Sequence, residues 1–109
     1  SNRVGNLYHY CPIESKDKIL ASGFIKPSED AAFGRGVYLT AIPPQTDPQV
    51  ILTNNYKDAK LSSLAKAFIL VNPHKGVKNL QKIDAGGRDI WRADEVCVHT
   101  TILLIYRSL

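Results

Sequence analysis

The spacing of apolar residues changes character several times along this chain, and each change predicts an element. Val4 to Tyr10, with Val4, Leu7, Tyr8 and Tyr10 favouring extended backbone, reads as a first strand. Pro12 stands where a helix can begin, Ile13, Ile19 and Leu20 follow helical spacing, and Gly23 supplies the left-handed stop. Phe24-Ile25-Lys26 is a short extended piece closed by Pro27. Ser28 to Gly34 reads as a loop and Val37 to Thr40 as a strand, with Pro43-Pro44 breaking the chain after it. Pro48 to Lys60 predicts a helix with Val50, Ile51 and Tyr56 turned to the core. Ala67 to Val71 predicts an apolar strand ended by Asn72-Pro73. Val77 to Ile83 alternates weakly as a further strand, and Asp84 to Arg88, with two glycines, is a loop. Ile90 to Thr101 and Ile102 to Tyr106 then predict one or two closing strands.

Strands outnumber helices, and no βαβ alternation leads into a glycine-rich phosphate turn. Phe33-Gly34-Arg35-Gly36-Val37-Tyr38 carries two glycines but runs into a strand, whereas a Rossmann-type turn opens a helix. The layout predicts an α+β fold of mostly antiparallel strands with a few short helices. At 109 residues the chain, 1–109, fits a single domain, expected to belong to a longer protein. Ser1-Asn2 leads straight into fold-like sequence without the regions of a signal peptide. No apolar run approaches the roughly 20 residues of a membrane helix, so no membrane partner is expected, and a monomer is.

Charge and cysteines narrow the chemistry. Fourteen Lys+Arg against ten Asp+Glu leave a net charge of +4, which suits an anionic ligand such as a dinucleotide. It equally suits an ordinary basic surface. Cys11 and Cys97 are far apart and have no metal-ligand spacing, so both are expected to be reduced packing residues and no metal is expected. Cys11 lies two positions after His9, on the same strand face, but nothing marks it as a thiolate nucleophile.

Three local patterns carry the remaining chemistry: Leu7-Tyr8-His9-Tyr10, Phe33-Gly34-Arg35-Gly36-Val37-Tyr38-Leu39-Thr40, and Ala93-Asp94-Glu95-Val96-Cys97-Val98. Taken singly, each has an ordinary structural reading: a satisfied core histidine, a turn, a solvated strand end. In this order they resemble the ADP-ribosyltransferase superfamily, in its His-Tyr-Glu/Asp branch. The nearest likeness is to the Tox-ART-HYD1 domains of bacterial polymorphic toxins. The resemblance is dense over Leu7–Tyr10, Ile19–Gly23, Ile25–Ser28, Phe33–Thr40 and Pro43-Pro44, and loose beyond them.

The resemblance implies an ADP-ribosyltransferase fold, a split β-sandwich around an NAD cleft, with NAD+ as co-substrate and His9, Tyr38 and Glu95 as the catalytic set. His9 is then expected to bond an NAD ribose hydroxyl, and the backbone at Tyr10 to meet the nicotinamide carboxamide. Tyr38 is expected to stack on the nicotinamide ring. Glu95 is expected to hold the 2′-hydroxyl of the nicotinamide ribose and stabilise the oxocarbenium-like transition state. Gly36 and Thr40 belong to the expected NAD-binding motif. Tyr56, in Thr53-Asn54-Asn55-Tyr56, serves either as a second stacking ring or as a helix-face core residue. Adjacent residues of a strand face opposite ways, and Val96 and Val98 mark the buried face, so Glu95 is preferred to Asp94; Asp84 remains an alternative.

The function this implies is NAD+-dependent mono-ADP-ribosyl transfer by a toxin effector, secreted or delivered into a target-cell cytoplasm, with a cognate immunity protein as partner. The acceptor is a target protein or a nucleic acid. Arg88, Trp91 and Arg92 offer such an acceptor charge and an aromatic surface, unless Trp91 packs in the core instead. The alternatives are an NAD+ glycohydrolase that depletes NAD+ and a catalytically silent module that binds ADP-ribose or a partner.

Overall fold

The computed structural model describes residues 5–56 and 65–98. In chain order the elements are β1 (Leu7–Cys11), α1 (Ile13–Ser22), β2 (Phe24–Ile25), β3 (Val37–Leu39), α2 (Pro48–Tyr56), β4 (Ala67–Val71), β5 (Val77–Lys78), β6 (Gln81–Lys82), β7 (Trp91–Ala93) and β8 (Glu95–Cys97). All described strand pairs are antiparallel, which makes this an α+β domain with two helices among its described residues. Val4, residues 57–60 of the expected second helix, and the expected strand Ile102–Tyr106 lie outside the described residues.

Local chemistry sets the first turn of the chain. Pro12 ends β1 in extended backbone and becomes the N-cap of α1, where Lys16 N–H donates to its carbonyl at 3.1 Å. Gly23 closes the helix at φ 81°, a left-handed conformation that costs glycine little, and donates to Ile19 O at 2.8 Å. β1 is buried on both faces. Leu7 and Cys11 enter one core cluster with Ile19, Ile25, Val37, Leu39, Ile69 and Val96. Tyr10 enters a second with Ile51, Leu52, Ala65 and Phe68, against which Tyr8 and Tyr56 pack. Complete burial of side chains such as Leu7, Ile51 and Ile69 contributes about 1.5–3 kcal/mol each.

Within the described residues, the two strands expected over Val77–Ile83 and Ile90–Thr101 form one long hairpin, bent in its middle; residues 99–101 lie outside them. Lys78 stands opposite Glu95 and Gln81 opposite Arg92, so the register is unbroken across the bend. At the corner Asn79 takes φ 53°, its Nδ2 donates to Asp94 Oδ2 at 2.6 Å, and Asp94 N–H donates to Lys78 O. The bend sends the hairpin's two halves into different sheets, β3–β7–β6 and β2–β8–β5. A third pair, β1–β4, joins β3 through a single bridge between Tyr8 and Thr40.

Candidate functional site

That single bridge makes the site. Tyr8 and Thr40 exchange N–H···O bonds of 2.8 and 3.0 Å, so the backbone of Tyr8 faces β3. In an antiparallel ladder direction alternates, so the Tyr10 N–H and C=O also face β3, at the register position of Tyr38. The ladder does not continue there. At the other end of the same edge, Gly36 pairs with Ser28 through bonds of 2.8 and 3.1 Å. β3 is therefore tied at both ends and open in the middle, at Tyr38. Side chains take up the ladder carbonyls: His9 Nδ1 lies 2.9 Å from Tyr38 O, and Tyr56 Oη donates to Tyr10 O at 3.5 Å.

A cavity of about 820 Å³ occupies this opening. Its wall includes His9, Tyr10, Tyr38, Thr40 and Tyr56, five of the residues expected at the site. A carbonyl oxygen only accepts, so His9 Nδ1 carries the proton and the neutral ring presents Nε2 as an acceptor. Removal from water lowers the His9 pKa below its ordinary value, opposed by the bond to Tyr38 O. Neutral His9 is thus the favoured form. Tyr38 anchors its hydroxyl on Gly34 O, and Tyr10 on Ile42 O at 2.8 Å. Burial pushes the Tyr56 hydroxyl above its ordinary pKa, so it stays a donor.

Cys11 also lines the cavity, but burial lifts its thiol to about 11, against a weaker pull from Lys16. It has no thiolate character at neutral pH. Both cysteines are free. Among the described residues no group of three His, Cys, Asp or Glu side chains converges as metal ligands would. No helix among them is long and apolar enough to cross a membrane.

Gly36 and Glu95 are not in the cavity wall. Gly36 is where Arg92 crosses β3: a Cβ there would sit 2.5 Å from Arg92 Cγ and 3.0 Å from Ala93 O. Arg92 itself is locked, donating to Phe33 O and to Gln81 Oε1 at 3.3 Å. The glycine pair of the motif thus makes room for an arginine. Trp91 packs against the core, with Lys82 Nζ 5.7 Å from its ring centre and its Nε1 buried without a partner. It is therefore no exposed stacking surface.

Glu95 occupies the face expected from the strand pattern, since Val96 and Val98 are buried while Glu95 and Cys97 are half-buried. Asp94 departs from the alternation because the hairpin bends there, leaving it exposed. The Glu95 carboxylate lies 2.9 Å from Lys78 Nζ on β5.

Three residues hold one wall of the site: Asn54 and Asp89, to which sequence reasoning gave no role, and Arg88, which it placed toward the acceptor. Asn54, on α2, is buried; its Oδ1 accepts from Asp89 N–H at 2.6 Å and its Nδ2 donates to Asp89 O at 2.9 Å. Asp89 accepts from Thr40 Oγ1 at 2.8 Å and Ala41 N–H at 2.6 Å. Burial alone would raise the Asp89 pKa; the bonds from Ala41, Thr40 and Lys82 outweigh it and hold the carboxyl below its ordinary value. Arg88 donates to Asn54 O at 2.7 Å and Asn55 O at 3.3 Å, near the end of α2. A cation there also suits the helix dipole. The sequence signal for Asn54 was the Asn54-Asn55 pair at the end of an apolar helix, and Asp89 had none.

Family models, curated proteins and solved structures were compared with this chain, and none matches it.

Proposed function

We propose that this chain is an ADP-ribosyltransferase domain of the His-Tyr-Glu/Asp branch, cleaving NAD+ in the cavity between β1 and β3 and passing ADP-ribose to a macromolecular acceptor. The observation that carries this reading is the opening of the β1–β3 ladder, with His9, Tyr10 and Tyr38 gathered at it. Tyr10 stands in the cavity wall at that opening, where the nicotinamide carboxamide is expected to meet its backbone. Neutral His9 provides an acceptor for a ribose hydroxyl, and Tyr38 and Tyr56 provide two rings for a cationic one.

Size and charge agree with that ligand. The volume falls within the roughly 300–1,000 Å³ typical of small-molecule sites. Lys18, Lys26 and Arg88 stand in the wall with no carboxylate among the described lining residues, which suits a pyrophosphate. The finer fold reading, a split β-sandwich, is supported by two antiparallel sheets that share a bent hairpin. In the reaction the C1′–nitrogen bond breaks, nicotinamide leaves with the electron pair, and the acceptor bonds C1′ as it loses a proton. The assignment as a toxin effector with an immunity partner rests on the family resemblance over Leu7–Tyr10, Ile19–Gly23, Ile25–Ser28, Phe33–Thr40 and Pro43-Pro44.

One observation favours a second reading, a module that binds ADP-ribose without cleaving NAD+: the Glu95 carboxylate is bonded to Lys78 and outside the cavity wall. Labelled NAD+ separates the two. The transferase is expected to release nicotinamide and label a component of whole lysate, with protease and nuclease digestion identifying the acceptor. Tyr38→Ala should abolish both. Calorimetric binding of ADP-ribose with no nicotinamide release favours the module, and no binding of either ligand overturns both.

A further inference from the structure

The sheet β2–β8–β5 places Glu95 in a row of charges. Paired residues on neighbouring strands project from the same face, and Ile25, Val96 and Val77 form the row that faces the core. The adjacent row lies on the opposite face, where Lys78 pairs with Glu95. Lys26 follows Ile25 directly, one residue past the last β2–β8 pair, Ile25 with Val96. Lys26 lines the cavity, and so does its same-face neighbour Phe24, whereas Lys78 does not. The Glu95 carboxylate is bonded at 2.9 Å to Lys78, the lysine of this face that is not in the cavity wall.

We propose, on the reading of the chain as an ADP-ribosyltransferase, that Lys78, on the edge strand β5, is a positioning residue that holds the Glu95 carboxylate toward that edge and so slows the chemical step. Cleavage of NAD+ develops positive charge at C1′, and a carboxylate helps only where it can approach that charge. The hold is weak enough to be broken in each turnover. The side chains of Lys78 and Glu95 are 72% and 44% exposed, and an exposed ion pair is readily exchanged for water. Lys78 makes no contact with the ligand in this scheme. Its removal should therefore change kcat and leave KM for NAD+ alone.

The test is steady-state nicotinamide release by wild type, Lys78→Met, Lys78→Arg and Glu95→Gln across a salt series. Lys78→Met is expected to raise kcat about two- to fivefold, the range for loss of an exposed ion pair, with KM unchanged. Lys78→Arg, which keeps the cation, should return kcat to the wild-type value. Added salt should raise wild-type kcat by screening the pair and leave Lys78→Met flat. An unchanged or lowered kcat in Lys78→Met, with Glu95→Gln inactive, overturns the restraint while sparing the transferase reading. Full turnover by Glu95→Gln overturns the restraint through its carboxylate. Absence of nicotinamide release from wild type overturns the restraint together with the transferase reading.

Discussion

His9 Nδ1 and Tyr38 O lie 2.9 Å apart, where a continued β1–β3 ladder would have brought the Tyr10 N–H. An imidazole thus replaces one rung of backbone pairing. The replacement keeps the strands apart without orphaning the Tyr38 carbonyl, and it selects the tautomer that presents Nε2 as an acceptor. Structure and chemistry meet in one bond.

His9→Ala should therefore act twice. Leaving Tyr38 O unsatisfied costs about 1–3 kcal/mol, read as a lower denaturation midpoint. Loss of the Nε2 acceptor should also weaken NAD+ binding in calorimetry. His9→Asn keeps an N–H donor beside Tyr38 O and should recover part of the stability but none of the affinity.

The lowered pKa of His9 sets a pH window. The folded state favours the neutral ring, so the unfolded chain binds the proton more readily. Stability from this group is complete above the ordinary value of 6.5 and is lost as pH falls from there toward the depressed folded value. Thermal melts of wild type should show that loss between those limits, and melts of His9→Asn should not. NAD+ affinity is expected to stay flat above 6.5.

Asp89 titrates in a different window. Its folded pKa is depressed, so its contribution is present above the ordinary carboxylate value of 3.8 and disappears as pH falls through the depressed one. Asp89→Asn should remove that acid limb. At neutral pH it should cost about 1–3 kcal/mol, because the bonds from Thr40 and Ala41 then reach a neutral amide oxygen instead of a carboxylate. Urea unfolding at pH 7 and at pH 3 measures both.

Gly36→Ala should destabilise by about 1–3 kcal/mol through overpacking, since the new methyl meets Arg92 and the Ala93 carbonyl. Arg92→Ala in the same chain removes the closer obstacle. The double variant should be more stable than the sum of the single losses predicts, with the remaining 3.0 Å approach to Ala93 O still felt. A double-mutant cycle in denaturant gives the coupling directly.

Local pattern was enough to predict most elements: Pro12 and Gly23 bracket α1, and Val37–Leu39 and Ala67–Val71 lie inside the expected strands. It was enough to place Val96 and Val98 inward as well, because face alternation is a property of the strand itself. It did not reveal the bend at Asn79 and Asp94, since Val77–Ile83, with its weak alternation, and Ile90–Thr101 each read as one strand with no break. The bend appears only when each half of the hairpin has a different sheet to join.

The site divides along the same line. The family resemblance carried by Leu7–Tyr10 and Phe33–Thr40 put His9, Tyr10, Tyr38 and Thr40 forward, and Tyr56 by a looser match, because the order of an imidazole, glycines and aromatic rings is written in the chain. Tertiary pairing alone decided that these five share a cavity, that Gly36 serves Arg92, and that Glu95 is held by Lys78. Such facts depend on which strands are neighbours and in what register. Residues far apart in the chain, such as His9 and Tyr38 or Thr40 and Asp89, acquire a distance only once the sheets have formed.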